Sequence, residues 1–137
     1  MRFLWLLVAA LMVATAARAE TRAISFGFAL TEPQPAAARR GAYDHTDLTI
    51  FSPGLQFWAD LAALQAGDHL VLRLKGPDGG ILAERDIPIG LSQDRFFAFT
   101  GRKHPERGWK SGVYTGTLQV IRGDQIVIEQ TQQIALP

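Results

Sequence analysis

Apolar residues recur at every second position through most of this chain. In "AISFGFAL" they are Ile24, Phe26, Phe28 and Leu30. In "HLVLRLKG", Leu70, Leu72 and Leu74 point one way while Val71, Arg73 and Lys75 point the other. "GVYTGTLQVIRG" sets Tyr114, Leu118 and Val120 on one face with Gly116, and "QIVIEQTQQIAL" alternates through Ile126 and Ile128 and again at Ile134 and Leu136. In "RFFAFTG", Phe97 and Phe99 share a face, so Phe96 must face the other side; Trp58, beside Phe57, poses the same problem. At this spacing the rings are expected in the core, with one of each adjacent pair exposed or covering a second layer. Period two is the mark of half-buried antiparallel strands.

Turn chemistry separates these runs. "GPDGG" (76–80) supplies Pro and Gly where a hairpin needs a preset or positive φ. "RGD" (122–124) sits between two strand signals at hairpin spacing, with Gly making the turn and Arg122 and Asp124 flanking it in water. "QAGD" (65–68) ends one element and begins another. "DLTIFS" (47–52) predicts a strand, and "TEPQPAAARRGA" (31–42) reads as a surface connection. "LQFWADLAAL" (55–64) fits either period; a strand running into a short helical turn is expected. Together the runs predict an all-β, immunoglobulin-like antiparallel sandwich of two sheets.

The first residues stand outside this pattern. Arg2 precedes an apolar run from Phe3 to Val13, and Ala17-Arg18-Ala19 forms an A-x-A signal. The run is shorter than the ~20 residues of a spanning helix. Residues 1–19 are therefore expected to be a cleaved signal peptide, leaving residues 20–137 as one domain in the periplasm or outside the cell, with no membrane span. Cleavage changes the charge. The chain has 14 Lys and Arg against 13 Asp and Glu; Arg2 and Arg18 leave with the signal, so the remainder is 12 against 13, a net −1. That balance does not suggest nucleic acid, which asks for a strongly basic face. There are no cysteines, which removes disulfide staples, thiol catalysis, thiolate metal sites and a lipid anchor together.

Candidate chemistry is sparse. His45, His69 and His104 lack the spacing that offers two imidazoles to one metal from a single element. His45 lies between Asp44 and Asp47, a group that could bind a metal or orient a base, though a solvated polar turn before a strand is the preferred reading. No serine sits in a G-x-S-x-G or S-x-x-K context. No cofactor and no metal are expected. The most distinctive segment is "TGRKHPERGWKSGVYTG" (100–116). Trp109 reads as an anchor and Tyr114 as facing the core or a corner. Arg102, Lys103, His104, Arg107 and Lys110 are left exposed as candidate binding residues, and the segment carries a local charge of +3.

From Gly67 onward the residues carry a resemblance. Gly67-Asp68 precedes an alternating strand, then comes "GPDG" (76–79). "FAFTGRK" (97–103) follows, then Trp109-x-x-Gly112-x-Tyr114, then "IRGDQIV" (121–127). This cadence resembles the immunoglobulin-like accessory domain of bacterial exported proteins. It is similar in particular to the β-sandwich region accompanying lysostaphin-type zinc peptidoglycan endopeptidases. The peptidase does not carry over, because its His-x-His is missing here. The resemblance implies an accessory module standing alone. The expected function is thus a non-enzymatic binding or accessory module contacting an envelope protein or a peptidoglycan-associated partner. The basic loop is its contact, and edge strands offer β-augmentation as a further mode. The alternatives are a small periplasmic enzyme with a loop-assembled site around His45 or His104, and a structural or chaperone-like envelope subunit.

Overall fold

The computed structural model describes residues 19–137; the signal peptide expected over residues 1–19 lies outside them, apart from Ala19. The elements are β1 (Arg22–Ala29), α1 (Pro35–Arg39), β2 (Gly54–Leu64), β3 (His69–Lys75), β4 (Ile81–Pro88), β5 (Gln93–Lys103), β6 (Gly112–Arg122) and β7 (Gln125–Leu136). A three-stranded sheet runs β1-β2-β5 and a four-stranded sheet runs β4-β3-β6-β7, with every pairing antiparallel. This is an all-β immunoglobulin-like sandwich. In the constant-type arrangement the fourth strand joins the first sheet; here it pairs with β3. The cause is local. "GPDGG" closes on itself through Gly76 N–H donating to the Gly80 carbonyl at 2.9 Å, and so short a loop cannot carry the chain to a sheet ~10 Å away.

The other short hairpin is β6–β7, where Arg122 pairs with Gln125 across a two-residue turn. Gly123 has φ +60 and Asp124 does not enter the left-handed region, which identifies a type II′ turn with Gly at its first central position. Arg122 is not a solvated flank, as the sequence suggested. Its Nε and Nη2 donate to the two Asp68 oxygens at 2.9 and 3.0 Å, and Nη2 also donates to Thr21 Oγ1 at 2.8 Å. Asp68 is buried and takes a further bond from Gln65 N–H. This group pins the β2–β3 corner to the end of β6.

Between the sheets, Leu55, Phe57, Ala59 and Leu61 of β2 meet Leu70, Leu72 and Leu74 of β3 and Leu118 and Val120 of β6; all are fully buried. The alternation predicted these faces for β3 and β6. One position in this core is unusual. Gly116 follows Tyr114 by two residues, the position that carries the second bridging cysteine in antibody-type sandwiches. A Cβ on Gly116 would meet the Phe57 ring at 2.3 Å. The aromatic ring of β2 thus lies directly on the β6 backbone, and the missing side chain makes the space for it.

Two expectations for the middle of the chain are corrected. Residues 47–52 form no strand. Thr49 N–H donates to Ser52 Oγ and Ser52 N–H to the Thr49 carbonyl, so a local turn satisfies the backbone, and Pro53 follows. Hydroxyl side chains compete with ladders in this way. Residues 55–64, in contrast, are strand throughout, with no helical turn. β2 is the central strand of its sheet, buried on both faces, so its apolar residues run on without clear alternation. Ala63 is the sole irregularity: its φ is +58, where the ladder to β5 steps from Ala62 to Leu64. The connection at 31–42 holds the short helix α1.

That connection covers the outer face of the three-stranded sheet. Trp58 stacks on Phe97, with centroids 5.8 Å apart, and Tyr43 tilts against it at 6.2 Å. Ala29, Ala38 and Phe99 complete this small second core. Phe96 points instead into the inter-sheet core. Phe97 and Phe99, grouped by period as core, therefore belong to the second layer. Trp58 lies flat across Gly27 of β1, where a Cβ would stand 3.3 Å from the ring.

Candidate functional site

The segment with the strongest sequence signal joins β5 to β6 and is tied down from several directions. His104 N–H donates to the Pro53 carbonyl and its Nε2 to the Ile50 carbonyl, each at 2.9 Å. A carbonyl only accepts, so this contact fixes the proton on Nε2. Trp109 is buried, and its indole N–H donates to the Ser52 carbonyl at 2.8 Å. His104 and Trp109 meet edge to face at 5.9 Å, as do Trp109 and Tyr114. The Tyr114 hydroxyl donates to the Lys110 carbonyl at 2.6 Å, the tyrosine corner of immunoglobulin-like domains. Burial lifts the Tyr114 pKa above its ordinary value, and Asp78 adds to the rise, so the phenol remains a donor. The anchor roles expected of Trp109 and Tyr114 thus have specific partners. His104, grouped with the binding residues, has its Nε2 committed to the anchor.

The cations occupy what is left. Arg102, Lys103, Arg107 and Lys110 are exposed. Among the described residues Arg102, Lys103 and Arg107 form no ion pair. Lys110 stands 3.7 Å from Asp78, and both side chains are largely in water, where such a pair contributes little. The Gly80 N–H and then Lys110 hold the Asp78 carboxyl below its ordinary pKa. Arg102 and Arg107 rim a cleft of about 220 Å³ floored by Pro77, Leu82, Pro105 and Trp109. Chemically this is a rigid, shallow cleft with an apolar base and guanidinium groups at its mouth. It suits an anionic group, since guanidinium pairs with carboxylate or phosphate in a fork.

The histidine alternatives have less geometry. His45 is exposed and makes no hydrogen bond among the described residues; Asp44 and Asp47 are exposed too. His69 pairs with Asp86 on the surface at 3.0 Å. Among the described residues no group of three His, Cys, Asp or Glu could hold a metal ion. No helix among them is long and apolar enough to cross a membrane.

One charged cluster escaped the sequence reading. Asp60 of β2 is 1% exposed. Arg95 Nη2 donates to its Oδ2 at 2.6 Å, and Arg39 Nε and Nη2 donate to Oδ2 and Oδ1 at 3.3 Å. Arg39 comes from α1 and Arg95 from β5, so one carboxylate fastens the 31–42 connection over the second core. The available signal was a lone carboxylate inside the apolar run "FWADLAAL", because a carboxylate is almost never fully buried without a partner.

No protein-family model matches the chain, and no curated protein matches it. Among solved structures, it is similar to a β-glucuronidase from glycoside hydrolase family 2, at 12% identity and a TM-score of 0.38. That likeness covers 61% of this chain and 10% of the other, so the chain spans a small fraction of that enzyme's length.

Proposed function

We propose that this protein is an exported, non-catalytic binding module that holds an anionic group of a cell-envelope partner on its β5–β6 loop. The observation that carries the reading is the combination of tethered backbone and uncommitted charge. His104, Trp109 and Tyr114 fix the loop to the sandwich, while Arg102, Lys103 and Arg107 keep their donors for a partner. A preordered loop loses little conformational entropy on binding. The N-terminal A-x-A pattern supports export, and the resemblance of residues 67–127 to the sandwich beside lysostaphin-type endopeptidases supports the accessory role.

The test is cosedimentation with purified peptidoglycan sacculi and, in parallel, capture of acidic envelope proteins from an extract. The comparison is between wild type and an Arg102→Ala/Lys103→Ala/Arg107→Ala variant. Exposed ion pairs are worth up to ~1 kcal/mol each, so losing three weakens binding on the order of tenfold to a hundredfold. The same contact weakens in high salt. Retention of full binding by the triple variant overturns the reading, as does recovery of the mature protein in the cytoplasm.

A further inference from the structure

A second surface lies along the free edge of the four-stranded sheet, beside the anchored end of the basic loop, where His104 Nε2 donates to the Ile50 carbonyl. β7 is the last strand of its sheet, and among the described residues nothing pairs with its outer edge. Its twelve residues include one charged side chain, Glu129, and no proline. Edge strands are usually protected by short length, lysines, proline or bulges; the C-terminal half of β7 has none of these. It faces the irregular segment 46–50 across an open groove of about 570 Å³, walled on the β7 side by residues 133–137.

The second wall is also unsatisfied backbone. Thr46 is bonded through its side chain to the Phe28 and Tyr43 carbonyls, and the Thr49 amide is held by Ser52. The Asp47, Leu48 and Ile50 amides have no hydrogen-bond partner among the described residues. Two strands one spacing apart would pair directly; these walls do not, and the space between them admits one more chain. An extended strand occupies roughly 160 Å³ per residue, from a 3.3 Å rise, a 4.8 Å strand spacing and a 10 Å sheet spacing. The groove therefore holds about four residues, which matches the four β7 residues, Gln133 to Leu136, that wall it ahead of Pro137.

We infer that this groove is a β-augmentation site for an extended, cationic peptide segment of a partner protein. Extended conformation follows from the strand edge and the groove's width. Alternating apolar side chains follow from Leu48, Ile134 and Leu136 at the base and Ile50 at the rim, the last 55% exposed. The charge follows from Asp47, the one charged residue among those lining the groove. The basic loop adjoins the site through His104 on the Ile50 carbonyl, but its exposed Arg102, Lys103 and Arg107 do not line the groove.

The experiment is an NMR titration of the purified protein with three capped hexapeptides: TVKVTV, its acidic counterpart TVEVTV, and TVPVTV as a strand-breaking control. Shift changes and slowed amide exchange confined to residues 46–50 and 133–137 are expected with TVKVTV, with at least tenfold weaker binding of the other two. Asp47→Lys, an exposed substitution that leaves the core intact, should invert the preference between the two charged peptides. Binding of TVPVTV equal to that of TVKVTV, or shifts centred on residues 102–110, would overturn the proposal. So would concentration-dependent protection of β7 without any peptide, which would make a second copy the occupant.

Discussion

Gly116→Ala is the most informative single substitution in the core. The new methyl would stand 2.3 Å from Phe57 Cδ2 and 2.5 Å from Cγ, far inside ordinary van der Waals contact. Both residues are buried, and Phe57 also packs against Phe28 at 5.5 Å and Phe26 at 6.5 Å, so the ring has no free side to move into. The φ of Gly116 is not in the left-handed region; the cost is therefore steric and not conformational. Overpacking of this kind costs about 1–3 kcal/mol. At about 4 °C per kcal/mol for a domain of this size, Tm should fall by roughly 4–12 °C. Thermal unfolding followed by circular dichroism measures it. Phe57→Leu leaves a cavity and is destabilising alone, by about 1–2 kcal/mol. Combined with Gly116→Ala it should cost less than the two single changes together, with a coupling of about 1 kcal/mol or more. A Gly116→Ala protein with unchanged Tm, or two strictly additive substitutions, would refute the claim that the ring occupies the glycine's side-chain space.

Tyr114→Phe removes the hydroxyl bond to the Lys110 carbonyl and should cost about 0.5–1.5 kcal/mol in urea unfolding, with faster amide exchange across 104–111; unchanged exchange would mean that Tyr114 does not hold the loop. Arg122 bonds hold the Asp68 carboxyl below its ordinary pKa of 3.8, against the opposing effect of burial. Its folded pKa is depressed, so its contribution is present above the unfolded pKa and lost as pH falls through the folded one. Asp68→Asn should thus lower the urea midpoint most above about pH 5, and the gap to wild type should close below pH 3.8; a constant gap across that range counts against the pairing. Ala63→Gly relieves a left-handed φ worth ~1–2 kcal/mol and adds ~0.5–1 kcal/mol of chain entropy, so Tm should rise by a few degrees; a fall would show that Ala63 is unstrained.

Alternation made β3 and β6 legible because each has one face on the core; in β1 and β7 it held except where bulges shift the register, leaving Ile24 and Ile126 exposed and Ala23, not Ile24, against the core. The same rule failed at residues 55–64 because β2 has no wet face. Its outward Trp58, Asp60 and Ala62 are covered by α1 and the chain around it, so apolar residues follow one another as they do in a buried helix. At 47–52 the rule failed in the opposite sense. Leu48 and Ile50 alternate, yet Thr49 and Ser52 close a turn on each other and Pro53 denies a continuing ladder. Period alone does not register side-chain bonds of this kind.

The charged residues were legible only as exposed or buried types, never as pairs. Arg122 and Asp68 are 54 positions apart, and Arg39 and Arg95 reach Asp60 across 21 and 35. Such contacts exist only after the sheets are stacked. Their consequence for function is selective. Both buried carboxylates take up the arginines nearest them, which removes those cations from any role at the surface. In the basic loop Arg102, Lys103 and Arg107 stay outside any ion pair among the described residues, while His104 and Trp109 take the carbonyls of Ile50 and Ser52 and Lys110 lies 3.7 Å from Asp78.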